Sequence, residues 1–377
     1  MNSKRVLIVG AGFAGAVHAR QLAEAGFEAH VIDKRPHIAG NAYDFVNENG
    51  VRVHAYGPHL FHTKQRHIVD WLQKFTEFAP YSHKVRAFIA PDSYVPLPIN
   101  LNTINVIFGV ELKNETEAKN FLASVAIPCE SPKNAAEYLY SKIGVKLTDL
   151  FFRPYTKKMW LMDLEEMSAS VVQRIPINYD ETDTYFSREE IQVMPRNGYT
   201  AIFEKILDHT NIEVETNASY EKGMERDYLY CFNSMPIDEY FDFVHGRLPY
   251  RSIRFHHRTE PLFTQEWSVT NFTDSSPFTR ETSWHVLPDH HVNPTGNVTI
   301  TREEPCDYAD NNFERYYPVK TADGRYQSLY AIYKNDAKLL PNMSFIGRCG
   351  TYQYLDMDQV INQSLTHVNA WIADRLA

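Results

Sequence analysis

A glycine-rich turn near the start of the chain constrains the fold more than any other feature of the sequence. The apolar, β-branched run Val6–Val9 is typical of a buried parallel strand. Gly10, Gly12 and Gly15 follow in the spacing GxGxxG. A helical pattern and a second strand come next, and Asp33 ends that strand eighteen residues after Gly15. This order predicts a Rossmann-like unit that binds the pyrophosphate of a dinucleotide at a helix N-terminus, with the acidic residue near the adenosine ribose.

Length, charge and cysteine content narrow the class of protein. A chain of 377 residues exceeds one ordinary core, so two or three lobes are expected. The net charge of -9 argues against a broad electrostatic contact with nucleic acid or an anionic membrane. No run approaches the ~18 apolar residues of a spanning helix, so no membrane insertion is expected. The absence of a CxxC pair and of an apolar leader predicts a cytoplasmic protein with reduced thiols. Its cysteines are Cys129, Cys231, Cys306 and Cys349.

The rest of the chain predicts an α/β protein with a discontinuous Rossmann-like parallel-sheet domain, a small helical lobe and an antiparallel sheet lobe. Ser131-Pro132 is typical of a helix start, and Gly144 of a helix stop. Asp356 predicts the N-cap of a C-terminal helix that returns to the first domain. The predicted ranges are 1–85, 195–245 and 325–377 for the Rossmann-like domain, 100–160 for the helical lobe, and 86–99, 161–194 and 246–324 for the sheet lobe.

The ordered motifs of the chain resemble those of the bacterial UDP-galactopyranose mutase family almost from end to end. They include GAGFAG, VHAYGPHLFHT, FFRPYTKKMW, PFTRETSWH and IGRCGTYQYLDMD. The resemblance implies a homodimeric FAD protein that interconverts UDP-galactopyranose and UDP-galactofuranose, supplying furanose for cell-surface polysaccharide. In the family's mechanism N5 of reduced FAD attacks the anomeric carbon, UDP leaves, and the sugar recloses through its 4-hydroxyl. An external reductant such as NADH or NADPH activates the flavin.

The resemblance also implies roles for individual cationic and titratable side chains. Arg174 and Arg280 match arginines that clamp the diphosphate, a task that suits the guanidinium fork. Arg251 is a third candidate for this task. His59 matches a histidine beside the flavin ring, where a protonatable group could respond to the reduction state. Arg348 matches a residue that places positive charge by the anionic reduced flavin.

Further positions match the family's contacts to substrate and cofactor. Trp160 matches a tryptophan beside the sugar, on a segment that closes over substrate in the family. The implied substrate-binding residues are Phe151, Phe152, Tyr155, Met159, Trp160, Tyr185, Arg251, Tyr316, Tyr317, Tyr354 and His83. The implied FAD-binding residues are Gly10, Gly12, Phe13, Ala14, Gly15, Asp33, Lys34, Gly40, Asn41, His59, Arg348, Tyr354, Asp356 and Met357.

Three residues near the expected base pocket depart from the family pattern. Pro154 stands where the family usually has glycine, Met159 where it has a glutamine near the uracil, and Leu161 follows the tryptophan. Because a polar contact to the base is lost, a mutase acting on another sugar nucleotide stays open, such as dTDP-fucopyranose or UDP-N-acetylgalactosamine.

Proteins of other classes share parts of this pattern. A metal site at His59 and His62 is disfavoured, because no further ligand has a recognisable spacing. A flavin oxidoreductase of the amine-oxidase type would have the same glycine turn, and would oxidise an amine or consume oxygen during turnover. A non-catalytic protein that binds sugar nucleotides is a third alternative.

Overall fold

Two large sheets organise the computed structural model, which describes residues 4–90, 93–173, 175–186 and 188–376. Arg174, one of the two predicted clamp arginines, lies outside these residues. The strands are β1 (Arg5–Val9), β2 (Glu28–Asp33), β3 (Asp44–Val46), β4 (Arg52–His54), β5 (Phe61–Thr63), β6 (Phe78–Pro80), β7 (Val85–Ala90), β8 (Ser93–Leu97), β9 (Ile191–Pro195), β10 (Ile212–Thr216), β11 (Tyr230–Asn233), β12 (Tyr250–Pro261), β13 (Val269–Phe272), β14 (Arg280–Ser283), β15 (Asn297–Asp307), β16 (Tyr317–Pro318) and β17 (Met343–Phe345).

The helices lie around these sheets and range from single turns to five turns. Within the described ranges, none has the length and apolarity that crossing a membrane requires. The helices are α1 (Phe13–Glu24), α2 (Arg66–Leu72), α3 (Leu101–Phe108), α4 (Glu115–Val125), α5 (Ala135–Leu147), α6 (Arg153–Trp160), α7 (Thr200–Leu207), α8 (Ile237–Tyr240), α9 (Arg325–Ala337), α10 (Gly347–Gly350) and α11 (Met357–Leu376).

A parallel sheet in the order β10-β2-β1-β11-β17 forms the first domain, and its strands all come from the three ranges predicted for it. The carboxyl ends of β1, β2, β11 and β17 meet along one edge, where ligands of such sheets bind. The turn after β1 allows α1 to pack closely on the sheet. Gly10 has φ 100, a value that favours glycine, and a Cβ at Gly15 would lie 1.8 Å from the carbonyl oxygen of Gly10. The N-terminus of α1 therefore opens on this edge.

The second large sheet has the order β16-β12-β15-β14-β13-β7-β8. Its pairs are antiparallel except for β7 with β13, which are parallel, so the sheet is mixed rather than purely antiparallel. β9 starts inside the range predicted for this lobe, but it pairs with β5 and β6 in a separate three-stranded sheet. The exact domain boundaries stay a prediction.

Asparagine caps start the helices of the helical lobe. Asn100, Asn114 and Asn134 each accept a hydrogen bond from the backbone N–H three residues later, at the starts of α3, α4 and α5. The helix start predicted at Ser131 is wrong, because the side chain of Asn134 binds the N–H of Glu137 at 2.9 Å and fixes the start of α5 further along.

Gly144 interrupts α5, as its predicted role as a helix stop requires, and a further helical turn follows the break. Its φ of 71 and ψ of 179 are not helical, and a Cβ would lie 2.5 Å from the carbonyl oxygen of Val125. The chain resumes its helix to Leu147 and then forms a π-helix over Thr148–Phe152. This wider turn leads into α6, a geometry that is frequent at functional sites.

Several histidines are buried in the neutral form. His18 and His290 are 0% and 1% exposed, and His83 is 4% exposed. Burial lowers the pKa of His18 and of His83 to about 3, and that of His290 to about 4. Each ring therefore resists protonation that the unfolded chain accepts near pH 6.5.

We expect the free energy of unfolding to fall on acidification from pH 7 to pH 5. A folded-state pKa below the unfolded value means that the stabilisation is present above about pH 6.5 and is lost as pH falls toward the folded pKa. Each fully buried histidine should cost about 2 kcal/mol over this interval. Denaturant titrations at both pH values would measure the loss. The variant His18→Leu should reduce it, whereas exposed His256→Gln should not, and a free energy independent of pH would contradict the expectation.

Candidate active site

A cavity of about 800 Å³ opens at the carboxyl edge of the parallel sheet and runs toward the mixed sheet. It joins residues that are far apart in sequence. All the predicted cofactor residues except Gly15 line it, and so do the predicted substrate residues His83, Tyr155, Tyr185, Arg280, Tyr316, Tyr317 and Tyr354.

The dinucleotide half of this cavity is a backbone cradle. The backbones of Gly12 and Gly40 approach so closely that a Cβ on Gly40 would lie 2.9 Å from the Cα of Gly12. At the end of β2, the carboxylate of Asp33 accepts hydrogen bonds from the backbone N–H groups of Ala11 at 2.8 Å and Arg35 at 2.9 Å. The acid is thereby fixed beside the glycine turn, where a ribose hydroxyl could bind it.

Arg280 is held by a carboxylate that the sequence did not reveal. It is the first residue of β14 and pairs with Glu303 on the neighbouring strand β15. Its Nε donates to Oε1 at 2.9 Å and its Nη2 to Oε2 at 2.7 Å, and Glu303 is 1% exposed. Burial opposes the charge, yet Glu303 keeps the pKa of Arg280 well above its ordinary value. The pairing leaves the Nη1 amino group for a ligand oxygen.

Arg348 lies over a stacked pair of tyrosines. The rings of Tyr317 and Tyr354 are 5.3 Å apart and 15° from parallel. The Arg348 guanidinium lies 5.4 Å and 4.9 Å from their centroids, and its Nη2 donates to the carbonyl oxygen of Tyr316 at 2.8 Å. Its Nε is buried without a protein partner. The group brings positive charge and an unused donor to the cavity wall.

His59 is neutral and faces the cavity with a fixed tautomer. Its Nδ1 lies 2.8 Å from the carbonyl oxygen of Gly57, so Nδ1 carries the proton and Nε2 remains an acceptor. Its backbone N–H donates to Nδ1 of buried His54 at 3.0 Å. Burial lowers the pKa of His59 to about 4, with the Gly57 bond opposing and Arg348 adding to the decrease. The expected protonatable group therefore provides an acceptor, not a charge, at neutral pH.

A second cavity of about 130 Å³ adjoins the first. The π-helix and α6 supply one side of it, and its lining is largely apolar, with Thr156, Asn271 and Thr273 among the polar exceptions. Seven of the described residues, Ile175 and Asn271 among them, line both cavities, which therefore meet at a shared wall. The predicted residues in the second cavity alone are Phe151, Phe152, Met159 and Trp160, and those in both are Tyr155, Tyr185, Arg280, Tyr317 and Tyr354.

Two predicted residues lie behind the cavities instead of lining them. Arg251 is 2% exposed, and its Nε donates to the backbone carbonyl of Met159 at 2.8 Å. It therefore supports the end of α6 from within, a role that its spacing did not indicate. Gly15 permits close packing of α1 on β1 and lines neither cavity. Among the residues that the structure describes, no cluster of three histidine, cysteine or acidic side chains could hold a metal ion.

Comparisons with known proteins identify the same fold and family. The family profile described as UDP-galactopyranose mutase matches residues 150–354, and that of an NAD(P)-binding Rossmann-like domain matches residues 8–75. The chain is 35% identical over 376 residues to a probable UDP-galactopyranose mutase of Klebsiella pneumoniae, covering 99% of this chain and 96% of the relative. It is 34% identical over 378 residues to dTDP-fucopyranose mutase of Escherichia coli, covering 98% of each.

A solved structure supports the fold. The crystal structure of a reduced UDP-galactopyranose mutase superposes with a TM-score of 0.78 at 17% identity, covering 99% of this chain and 94% of that one. The predicted α/β fold with a Rossmann-like parallel sheet is therefore confirmed.

The buried pair of Arg280 and Glu303 should be strongly coupled. Arg280→Met leaves a buried carboxylate without its partner, and we expect a loss of about 3 kcal/mol in unfolding free energy. The double variant with Glu303→Gln should recover most of it. The neighbouring cross-strand pair of Arg302 and Glu281 is more exposed. Arg302→Met should therefore cost less than about 1 kcal/mol. Denaturant unfolding of the unmodified protein, Arg280→Met, Glu303→Gln and the double variant gives the coupling energy, and additive losses would refute a coupled pair.

Proposed function

Because the chain belongs to the UDP-galactopyranose mutase family, we propose that this isomerase interconverts UDP-galactopyranose and UDP-galactofuranose on bound FAD. One observation carries the proposal. The dinucleotide cradle and the aromatic cavity meet at a wall that includes Arg280 and four tyrosines. A cofactor in the first cavity and a nucleotide in the second would bring their reacting ends together at this wall.

The residues present fit FAD. The backbones of Gly12 and Gly40 approach so closely that Gly40 has no room for a side chain, and both glycines line the cavity where a pyrophosphate would bind. Asp33 offers a fixed carboxylate to the ribose, and the buried Nε of Arg348 lacks a protein acceptor. Bound in its reduced form, FAD would supply a nucleophilic nitrogen, N5, for the anomeric carbon.

The protein's own groups position the diphosphate in this proposal. Arg280 presents Nη1 to the phosphate oxygens while Glu303 fixes the other edge of the guanidinium. Glu303 also compensates the charge of Arg280 before substrate arrives, which lowers the cost of burying the cation. Tyr155 and Tyr317 lie on both cavities, and burial raises the pKa of Tyr317 to about 12. Its hydroxyl therefore stays protonated and donates a hydrogen bond.

Arg348, His59 and the aromatic side chains determine the charge and the access of water near the proposed cofactor position. Arg348 supplies positive charge that stabilises an anionic reduced cofactor. Neutral His59 offers its Nε2 as an acceptor at the cavity wall. The tyrosines that line both cavities would limit the access of water to a reaction in which hydrolysis would compete.

A dTDP-linked hexose such as dTDP-fucopyranose is a second candidate substrate. Met159 is 7% exposed and presents a thioether to the apolar second cavity, where it could pack against the methyl group of thymine. A relative that shares 34% of its residues with this chain is a dTDP-fucopyranose mutase. UDP-galactopyranose remains the first candidate, because a lost hydrogen bond to uracil can be replaced by backbone or water.

The wider context is also part of the proposal. We propose a cytoplasmic homodimer whose flavin is reduced by NADH or NADPH and whose product supplies polysaccharide synthesis. The free thiols of the described chain and its family membership support this setting.

We expect the purified chain to bind FAD non-covalently and to turn over only after reduction. One reduction with dithionite should allow many furanose products per flavin under anaerobic conditions, because the flavin is regenerated in each cycle. Chromatographic analysis of the sugar nucleotides would measure the number of furanose products formed per flavin. Gly12→Val is the matched control and should purify without FAD, since its side chain would enter the pyrophosphate cradle. Stoichiometric oxidation of NADH per product would point instead to an oxidoreductase.

The base preference should depend on Met159. We expect the dissociation constants of the unmodified protein for dTDP and UDP to lie within a several-fold range of each other, because one buried methyl is worth at most ~1 kcal/mol. Met159→Gln should shift the ratio of the two dissociation constants toward UDP by a similar factor. Competition titrations with both nucleotides on the reduced protein measure it. UDP binding at least about tenfold tighter than dTDP in the unmodified protein would exclude the dTDP candidate.

A further inference from the structure

Helix α6 forms part of the boundary between the two cavities, and its contacts with the mixed sheet determine whether that boundary can move. Tyr155 on this helix lines both cavities, and Met159 and Trp160 line the second. The helix is eight residues long and ends at Trp160, and the next residue, Leu161, has a φ of 54. The position of this short helix sets the width of the second cavity.

Lys158 extends from α6 to the hairpin formed by β13 and β14. Its Nζ donates to the carbonyl oxygens of Phe272 at 3.0 Å, Asp274 at 3.1 Å and Phe278 at 2.6 Å. An ammonium group has three donors, and these contacts use all of them. The side chain is 14% exposed, and the carboxylate of Asp274 lies 3.6 Å away.

This hairpin carries residues of the opposite wall. Asn271 lies on β13 and Arg280 begins β14, and both line the two cavities. The backbone N–H of Thr279 donates to the carbonyl oxygen of Glu303 at 2.9 Å, which ties the hairpin to the strand that holds Arg280. Lys158 therefore connects the helical wall to the same part of the sheet that fixes Arg280.

The contact pattern favours a positioning role over simple surface solvation. Burial lowers the pKa of Lys158, and Asp274 partly offsets this decrease. Neighbouring Lys157 shows the ordinary alternative, because its side chain is 52% exposed and pairs with Asp163. Two adjacent lysines of one helix thus have different environments, which provides a matched control.

We propose that Lys158 is a positioning residue that fixes α6 against the β13–β14 hairpin and thereby sets the geometry of the nucleotide pocket. This inference rests on the proposed function, since it assigns the second cavity to the nucleotide. Three backbone carbonyl oxygens accept hydrogen bonds from the ammonium group of Lys158. The contact between α6 and the hairpin therefore depends on the N–H donors of this side chain and not on a single acidic partner.

The test compares Lys158→Met, Lys158→Arg and Lys157→Met. UDP and dTDP dissociation constants are measured by calorimetry on the FAD-loaded protein, together with kcat and KM. Lys158→Met should weaken nucleotide binding and raise KM by roughly tenfold, with a smaller change in kcat, because a displaced wall weakens ground-state and transition-state binding alike. Lys158→Arg keeps a cation with several donors and should stay within about threefold of the unmodified protein. Lys157→Met should bind as the unmodified protein does.

Thermal unfolding of each variant separates pocket geometry from global stability. If Lys158→Met is unfolded at the assay temperature, Lys158→Gln retains two N–H donors without charge and should show an intermediate loss of affinity. Unchanged nucleotide affinity in folded Lys158→Met or Lys158→Gln would overturn the inference, as would an equal loss in Lys158→Arg and Lys158→Met. If the unmodified protein binds neither UDP nor dTDP, the proposed function fails and the inference fails with it.

Discussion

The close packing of α1 on β1 through Gly10 and Gly15 is the constraint on which the rest of the molecule depends. A single Cβ at Gly15 would collide with the carbonyl oxygen of Gly10, so this packing exists only with glycine. The first turn of α1 thereby opens on the carboxyl edge of the parallel sheet, where Asp33 and the short helix α10, which begins with Gly347, also lie. The large cavity follows from this arrangement, because each of these strand ends contributes backbone to the same edge.

Charge is distributed in the cavities in a way that the overall composition conceals. The chain carries a net charge of -9, yet Arg280 and Arg348 both line the large cavity. Glu303 compensates one of these cations, and the stacked rings of Tyr317 and Tyr354 face the other. Such partners reduce the cost of desolvating a guanidinium while leaving donors for an anionic ligand. A negatively charged protein can thus present a locally cationic site.

Local patterns in the sequence predicted much of the fold, and tertiary pairing explains the rest. The glycine turn, the second strand ending at Asp33 and the C-terminal helix could be predicted because each signal lies within about thirty residues. Asn134 replaced Ser131 as a cap, since competing caps a few residues apart depend on packing. Glu303 and Arg251 could not be assigned, because their partners depend on strand register and on the position of α6. Most of the predicted site residues meet around the cavities, but these positions came from the family resemblance and not from periodicity.

The parallel pairing of β7 with β13 has a consequence for how the chain is made. Val85 pairs with Val269, 184 positions later, and the entire helical lobe lies between them. At ribosomal rates of ~5–20 residues per second, β7 waits roughly ten to forty seconds for its partner. The helical lobe rests largely on nearby contacts and can collapse during this interval, whereas the mixed sheet closes late. Until then the exposed edge of β7 is open to pairing with other chains. Chaperone demand during synthesis should therefore concentrate between the completion of the helical lobe and the emergence of β13.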